Sequence, residues 1–389
     1  MKREPTGIFE KTSCAGEDVL AFVPYPLQEL PGLNFDPDLR RLLEQSHLAL
    51  GRLDALSTLL PDPSLFLYGY VRKEALVSSQ IEGTQSSLSD LLLFEMQEAP
   101  GVLIDDVTEV SNYVAALEHG WRRLGEGFPL CNRLVREIHE VLLSRGRGAD
   151  KSPGEFRRSQ NWIGGTRPGN AHFVPPPPES MDRCLTSLER FLHEDGTGYG
   201  PVLRAALVHV QFETVHPFLD GNGRVGRLLI PLMLYAAGVL AQPLLYLSLY
   251  FKQHRDRYYQ LLDRVRLAGD WEAWLAFFLK GILETAEGAV STARRLMTLF
   301  EEDASSIQKR GKGTASILRL HESLRRKPVA SLQVFGEMTG LSVPTVTRAM
   351  LTLAEMGVVR ELTGRKRNRL FGYTRYLEIL SEGTETLVD

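Results

Sequence analysis

The chain has little cysteine. Only three occur in 389 residues, Cys14, Cys131 and Cys184, none in a CxxC pair or beside a clustered histidine. That excludes a disulfide scaffold and a cysteine-based zinc site, and it fits a reducing, cytoplasmic setting. No apolar run reaches the roughly 18 residues of a membrane-spanning helix, and the opening MKREPTGIFEKTSCAGEDVL lacks the apolar stretch of a secretory signal, so neither membrane nor export is expected. Internal repeats and low-complexity tracts are also missing. There is no GxxxxGK[ST] loop and no kinase-type glycine loop with its lysine, which excludes those two phosphate-binding designs.

What is present is an ordinary globular balance, 43% hydrophobic and 24% charged, in a chain long enough for two or three domains. The net charge of -3 hides an asymmetry. Between Lys309 and Arg375 fourteen Lys and Arg face four acids, so that segment is +10 and the remainder -13. A basic module on an acidic body points to a polyanion partner for the module alone.

Residues 1–35 carry Pro5, Pro24, Pro26 and Pro31 and read as an extended, anchored arm. Asp36-Pro37 is a helix start, an N-cap carboxylate followed by proline at the first helical position. Leucines at 39, 42, 43, 50, 53, 56 and 59 carry that helix to about residue 60. A second helix over about 64–82 stops at Gly83. Helical patterns follow over 86–98, 106–124 and 129–145, then 179–194, 201–215, 224–238, 255–267 and 270–295. Between them, 153–178 reads as a β-hairpin: Asn161-Trp162-Ile163, a long tip through Asn170, then Ala171–Val174 and four prolines that enforce an extended exit. The polar stretch 301–312 reads as a linker.

The most informative run is His216-Pro217-Phe218-Leu219-Asp220-Gly221-Asn222-Gly223-Arg224-Val225-Gly226-Arg227, which joins two helical patterns. Gly221, Asn222 and Gly223 tolerate positive φ. They let main-chain N–H groups face one concavity at the positive end of a helix, a nest for phosphate oxygens. Arg224 and Arg227, three apart, share a helix face and suit a polyphosphate. Asp220 offers a hard oxygen ligand to Mg²⁺, and His216 is suited to take a hydroxyl proton. Together these residues point to a nucleotide or phosphoryl-transfer site.

The run resembles the signature HxFx(D/E)GNGRxxR of the Fic (Fic/DOC) family, matching all eight specified positions: His216, Phe218, Asp220, Gly221, Asn222, Gly223, Arg224 and Arg227. The resemblance takes in Gly154–Pro178, similar to the family's flap hairpin, and Tyr258-Tyr259 followed by Gly269-Asp270-Trp271 and Trp274. It covers about Asp36 to Glu287. It implies a mainly α fold, a Fic-type helical bundle with a small β-hairpin flap. The implied activity is transfer of AMP from ATP to a Ser, Thr or Tyr hydroxyl of a target protein. By position, His216 would be the base and Asp220 would hold Mg²⁺. Asn222 with the Gly221 and Gly223 main chain would cradle the α-phosphate. Arg224 and Arg227 would bind the outer phosphates, with Val225 and Gly226 between them. Phe218 would anchor the loop, and Tyr258 would line the adenine pocket. The flap residues Trp162, Ile163, Gly164 and Gly165 would dock the target as an added strand. A homodimer is implied by the resemblance only.

Upstream, Ser78, Glu82 and Gly83 match the family's inhibitory pattern (S/T)xxxE(G/N). Glu82 would occupy Arg227 in place of the γ-phosphate, and the resemblance adds that such a glutamate can activate water to remove AMP. The basic segment resembles a winged helix-turn-helix domain: helices over about 313–325, 330–338 and 343–356, then wing strands 358–362 and 369–373. Thr345, Thr347 and Arg348 would approach a DNA major groove, and Arg365, Lys366 and Arg367 at the wing tip would reach phosphates. The domains expected are 1–100 with the inhibitory helix, a catalytic core over 101–300, and the winged helix over 313–378. Two alternatives stand beside this reading. One is a DNA-binding regulator whose core senses nucleotide, against which an intact His216 argues. The other is transfer of another group, such as UMP, phosphate or phosphocholine.

Overall fold

The computed structural model describes residues 4–30, 32–59, 64–95, 104–194, 198–311, 313–365 and 367–385. The arm 1–35 is not simply extended. It forms an antiparallel hairpin, β1 (Gly7–Cys14) and β2 (Glu17–Pro24), in register from Gly7↔Pro24 to Cys14↔Glu17. Ala15 and Gly16 both have positive φ (48° and 82°), the two-residue turn whose twist suits a hairpin. Proline spacing concealed it, because the prolines at 5 and 24 lie outside or at the end of the strands.

The helical body begins with α1 (Pro37–Leu59), whose first turn is capped as its sequence implies: Leu39 N–H donates to Asp36 Oδ1 at 2.8 Å. Then come α2 (Ser64–Ile81), α3 (Leu88–Phe94), α4 (Ile104–Gly125), α5 (Asn132–Leu142) and α6 (Pro178–His193). Next are α7 (Pro201–Val215) and α8 (Asn222–Ala236), then α9 (Ser248–Gln253) and α10 (Arg255–Ala268). Helices α7 and α8 are lined almost throughout by buried residues, so they form the centre of the bundle. The segment 153–178 is held as a hairpin by a single bridge, Ile163↔Phe173, with a 3₁₀ turn at Pro168–Asn170. Phe22 N–H donates to Val174 O at 2.9 Å, and Trp162 packs with Cys14, Val19, Ala21 and Val174, so β2 backs this hairpin.

The linker expectation is overturned. Helix α11 runs unbroken over Trp271–Gln308, and Phe300, Asp303 and Ile307 lie buried along one face. The stretch reads as polar because one buried position is an acid: Asp303 accepts from the Tyr373 hydroxyl at 2.7 Å. Beyond it stand α12 (Thr314–Arg326), β3 (Val329–Ser331), α13 (Leu332–Thr339), α14 (Val343–Glu355), β4 (Val359–Glu361), β5 (Leu370–Tyr373) and α15 (Thr374–Ser381). The three strands form an antiparallel sheet in the order β3-β5-β4. The apolar core is continuous from α1 through α15. Fifteen helices and two small sheets make the described residues mainly α, and no described helix is long and apolar enough to cross a membrane.

Candidate active site

A cavity of about 570 Å³ lies at the junction of α7 and α8 under the 161–173 hairpin, lined by His216, Asp220–Gly223, Arg227 and Glu82 among others. The loop between the helices is held from three sides. Phe218 is fully buried and stacks on His139 with ring centroids 3.7 Å apart. His139 is held neutral, its pKa pushed down to about 4 by burial. Its Nδ1 accepts from Gly154 N–H at 2.9 Å, so Nε2 is the donor to Asp220 O at 3.1 Å. Arg157 donates from Nε to His216 O at 2.9 Å and from Nη2 to Pro176 O at 2.6 Å. That clamp holds His216 at φ 48°, a left-handed conformation uncommon outside glycine, at the C-cap of α7. Burial, then the Arg157 and Arg266 charges, push the His216 pKa down to about 3, so its imidazole stands neutral.

The glycines act differently from a simple nest. Of Gly221, Asn222 and Gly223, only Gly221 has positive φ (78°). Asn222 turns both ends of its amide onto the loop, with Oδ1 accepting from Phe218 N–H and Nδ2 donating to Phe218 O, each at 2.8 Å. Its side chain closes the turn, so only its main-chain N–H is left for an anion at the start of α8. Gly223 is needed for space: a Cβ there would stand 2.5 Å from Glu82 Oε1 and 2.9 Å from Arg227 Nη1.

The two arginines have separate fates. Arg227 Nη2 donates to Glu82 Oε1 at 2.7 Å and to Ser78 O at 3.1 Å, and Nε donates to Ser78 Oγ at 2.9 Å. Burial pushes the Glu82 carboxyl up, but the Arg227 charge and hydrogen bond outweigh it and hold the pKa below the usual range. Gly83 follows at φ 104°, ending the helix that presents Glu82. Arg224, expected to face phosphates, is not on the cavity wall. It is buried against Glu109 at 2.9 Å and reaches Asp220 Oδ1 at 3.3 Å. Val225 and Gly226 are also off the wall. Gly226 packs instead against Glu213, whose Oε1 would lie 2.5 Å from a Cβ at that position. Tyr258 lines the cavity with its ring, while its hydroxyl bonds His209 Nε2 at 2.8 Å. Trp162, Ile163 and Gly164 line the hairpin side. Gly165 sits at the tip, where a Cβ would strike Asn170 O at 2.4 Å.

Asp220 is 29% exposed, and the hydrogen bonds made to it fall on Oδ1. Among the described residues no group of three His, Cys, Asp or Glu forms a cage. Nucleotide-bound Mg²⁺ needs no such cage, since phosphates and water supply most ligands, and one open carboxylate oxygen is a fitting anchor. The residues that sequence reasoning missed here are Arg157, Arg266, His139, Glu109 and Glu213. Each acts across more than fifteen residues or through main-chain atoms, which spacing does not reveal. In the C-terminal unit Arg348 and Arg367 are exposed, as is Arg365; Lys366 lies outside the described residues. Thr345 Oγ1 bonds Ser342 Oγ at 2.9 Å, and Thr347 Oγ1 donates back to Val343 O at 2.8 Å.

Residues 40–122 match the model of the Fic/DOC family N-terminal region, and residues 129–234 that of the Fic/DOC family. Similar curated proteins are the protein adenylyltransferase Fic of Drosophila ananassae (30% identical over 200 residues) and of Aedes aegypti (31% over 204). Each match covers 51% of this chain and 37% of the relative, so the chain spans little more than a third of those proteins. Among solved structures, a Fic family protein from Desulfovibrio desulfuricans G20 superposes with a TM-score of 0.58 at 21% identity, covering 88% of this chain and 98% of that one. A Fic domain containing signaling protein from Bacteroides thetaiotaomicron VPI-5482 gives 0.51 at 20% identity, covering 66% and 97%. Both share the fold.

Proposed function

Because its residues 40–122 and 129–234 belong to the Fic/DOC family, we propose that this chain is a protein adenylyltransferase held in check by its own Glu82. The carrying observation is the Arg227–Glu82 pair inside the cavity, 2.7 Å long, with one partner buried and the other a third exposed. A carboxylate stands on the guanidinium that would otherwise take a phosphate.

In this reading ATP lies with its phosphates at the start of α8, against the Gly221–Gly223 main chain and Arg227. Asp220 would hold Mg²⁺, which neutralises phosphate charge when bound. His216 takes the proton of the target hydroxyl as that oxygen attacks the α-phosphorus and pyrophosphate leaves. Arg224 positions Asp220 and binds no phosphate itself. A target segment pairs with the hairpin edge at Trp162–Gly164. Glu82, ionised beside Arg227, keeps the γ-phosphate from docking, and in the same reading that carboxylate would activate water for AMP removal.

The C-terminal order helix–strand–helix–helix–strand–strand, with strands ordered β3-β5-β4, supports the winged-helix reading, and its exposed Arg348 and Arg367 support duplex DNA as its partner. Salt-dependent gel retardation that weakens on Arg348→Ala is the expected result; retardation unchanged by that substitution counts against α14 as the reading helix.

The enzyme reading is tested by self-labelling with α-³²P-ATP and Mg²⁺. Glu82→Gly should label strongly, the wild type weakly and Glu82→Gly/His216→Ala not at all. If calorimetry shows ATP bound and no variant labels, adenylyl transfer is the wrong chemistry.

A further inference from the structure

The end of the C-terminal unit grips the helix that carries Glu82. After α15 the chain turns at Gly383 (φ 78°) and runs along α2. Gln80, two residues before Glu82, donates from Nε2 to Thr384 O at 3.0 Å and to Ser86 O at 3.2 Å. Its Oε1 accepts from Lys252 Nζ at 2.8 Å, and the same ammonium donates to Glu385 O. Two turns earlier on α2, Lys73 Nζ donates to Glu382 O at 2.5 Å. The Glu382 carboxylate is itself held by Arg295 of α11, with N–O distances of 2.6 and 2.5 Å. Further back, α2 is shaped to admit α15: a Cβ on Gly69 would stand 2.2 Å from Leu380 Cδ1.

Burial makes these contacts consequential. Lys252 is 4% exposed, and lysine is almost never buried to that degree without partners. Burial lowers its pKa and that of Lys73, the acids of the C-terminal segment opposing the shift in both. Carbonyls of residues 382 and 385 therefore supply acceptors that water would otherwise provide. Withdrawing them leaves a desolvated ammonium beside the last turn of α2. The same turn is held on its other side by Arg227, through Ser78 and Glu82, and by Arg147 Nη1, which donates to Glu82 O at 3.4 Å, so the C-terminal segment and the active-site arginine grip it from opposite faces.

We infer that residues 382–385 are a latch through which the C-terminal unit holds the last turn of α2, and with it Glu82, against Arg227. Whatever repositions the C-terminal unit then sets whether Glu82 stays on Arg227. The coupling to chemistry rests on the autoinhibition proposed above; the grip on α2 does not.

The test uses the full-length Gln80→Ala/Lys252→Met double variant, which leaves Ser78, Glu82, Arg227 and His216 intact, beside wild type and Glu82→Gly. Amide hydrogen exchange across residues 78–83 reads the latch directly and should speed at least tenfold in the double variant, with exchange in α7 and α8 unchanged. Self-labelling with α-³²P-ATP should rise severalfold toward that of Glu82→Gly. Unchanged exchange at 78–83 overturns the latch. Faster exchange with strong labelling by Glu82→Gly and none gained by the double variant overturns its control of Glu82. Faster exchange with no labelling gained even by Glu82→Gly locates the failure in the autoinhibition reading and overturns the coupling, while the grip itself stands.

Discussion

Arg224 and Arg227 occupy matching places in one motif, yet their surroundings give them opposite work. Arg224 and Glu109 are 2% and 3% exposed, a pair sealed from water, whereas Glu82 on Arg227 is 33% exposed and can exchange for an incoming anion. Breaking a sealed pair strands a charge, at a cost of about 3–5 kcal/mol. Arg224→Met should therefore lower unfolding free energy by about that amount in urea titration, and adding Glu109→Leu should restore most of it. A change within about 0.5 kcal/mol of wild type would mean that Arg224 is not structural. The motif made the residue types of the site legible: His216, Asp220 and Arg227 all reach the cavity. It could not separate a ligand from a brace, because partners such as Glu109 and Arg157 lie 115 and 59 residues away in the chain.

At the scale of elements, periodicity and capping signals located most helices to within a few residues, but not the short α9 and α15. The other failures have separate causes. Helix α11 continues through a polar stretch because Asp303, Phe300 and Ile307 still recur on one face, and a buried acid disguises the pattern. Strand β3 is only three residues long and takes its register from β5, so nothing local announces it. Since α11 is continuous to Gln308 and its far end is buried against the C-terminal unit, limited digestion by a Glu-specific protease should spare Glu301 and Glu302 while the whole chain remains folded. Early cleavage there, releasing the C-terminal unit, would restore the flexible linker.

Across the whole molecule, burial holds four histidines neutral: His209 and His216 with pKa values pushed down to about 3, His139 and His321 to about 4. It also holds two carboxyls, Glu74 and Glu213, protonated up to about 7. The signs oppose. Between about pH 4.5 and 6.5 the unfolded chain takes up protons on the four imidazoles, while the folded chain keeps protons on the two carboxyls. The imidazoles outnumber the carboxyls, so the unfolded state binds more protons and stability falls as pH drops from about 6.5 toward 4.5. The urea midpoint should be lower at pH 5 than at pH 7; a midpoint that is flat or higher at pH 5 would show that these imidazoles are not kept neutral.

Local spacing marked most helix starts and the residue types that meet at the α7–α8 loop. It also marked Ser78, Glu82 and Gly83 as a set at one helix end. Those features depend on neighbours within about a dozen residues, which periodicity and capping report. That Glu82 lies on Arg227 and Arg224 on Glu109, that β2 backs the hairpin over the cavity, and that residues 382–385 rest on α2 is visible in the folded chain alone. Each of these pairs groups that are far apart in the chain. Such pairings follow from which buried charge finds a partner once the core has closed, and that is set by packing in three dimensions rather than by spacing along the chain.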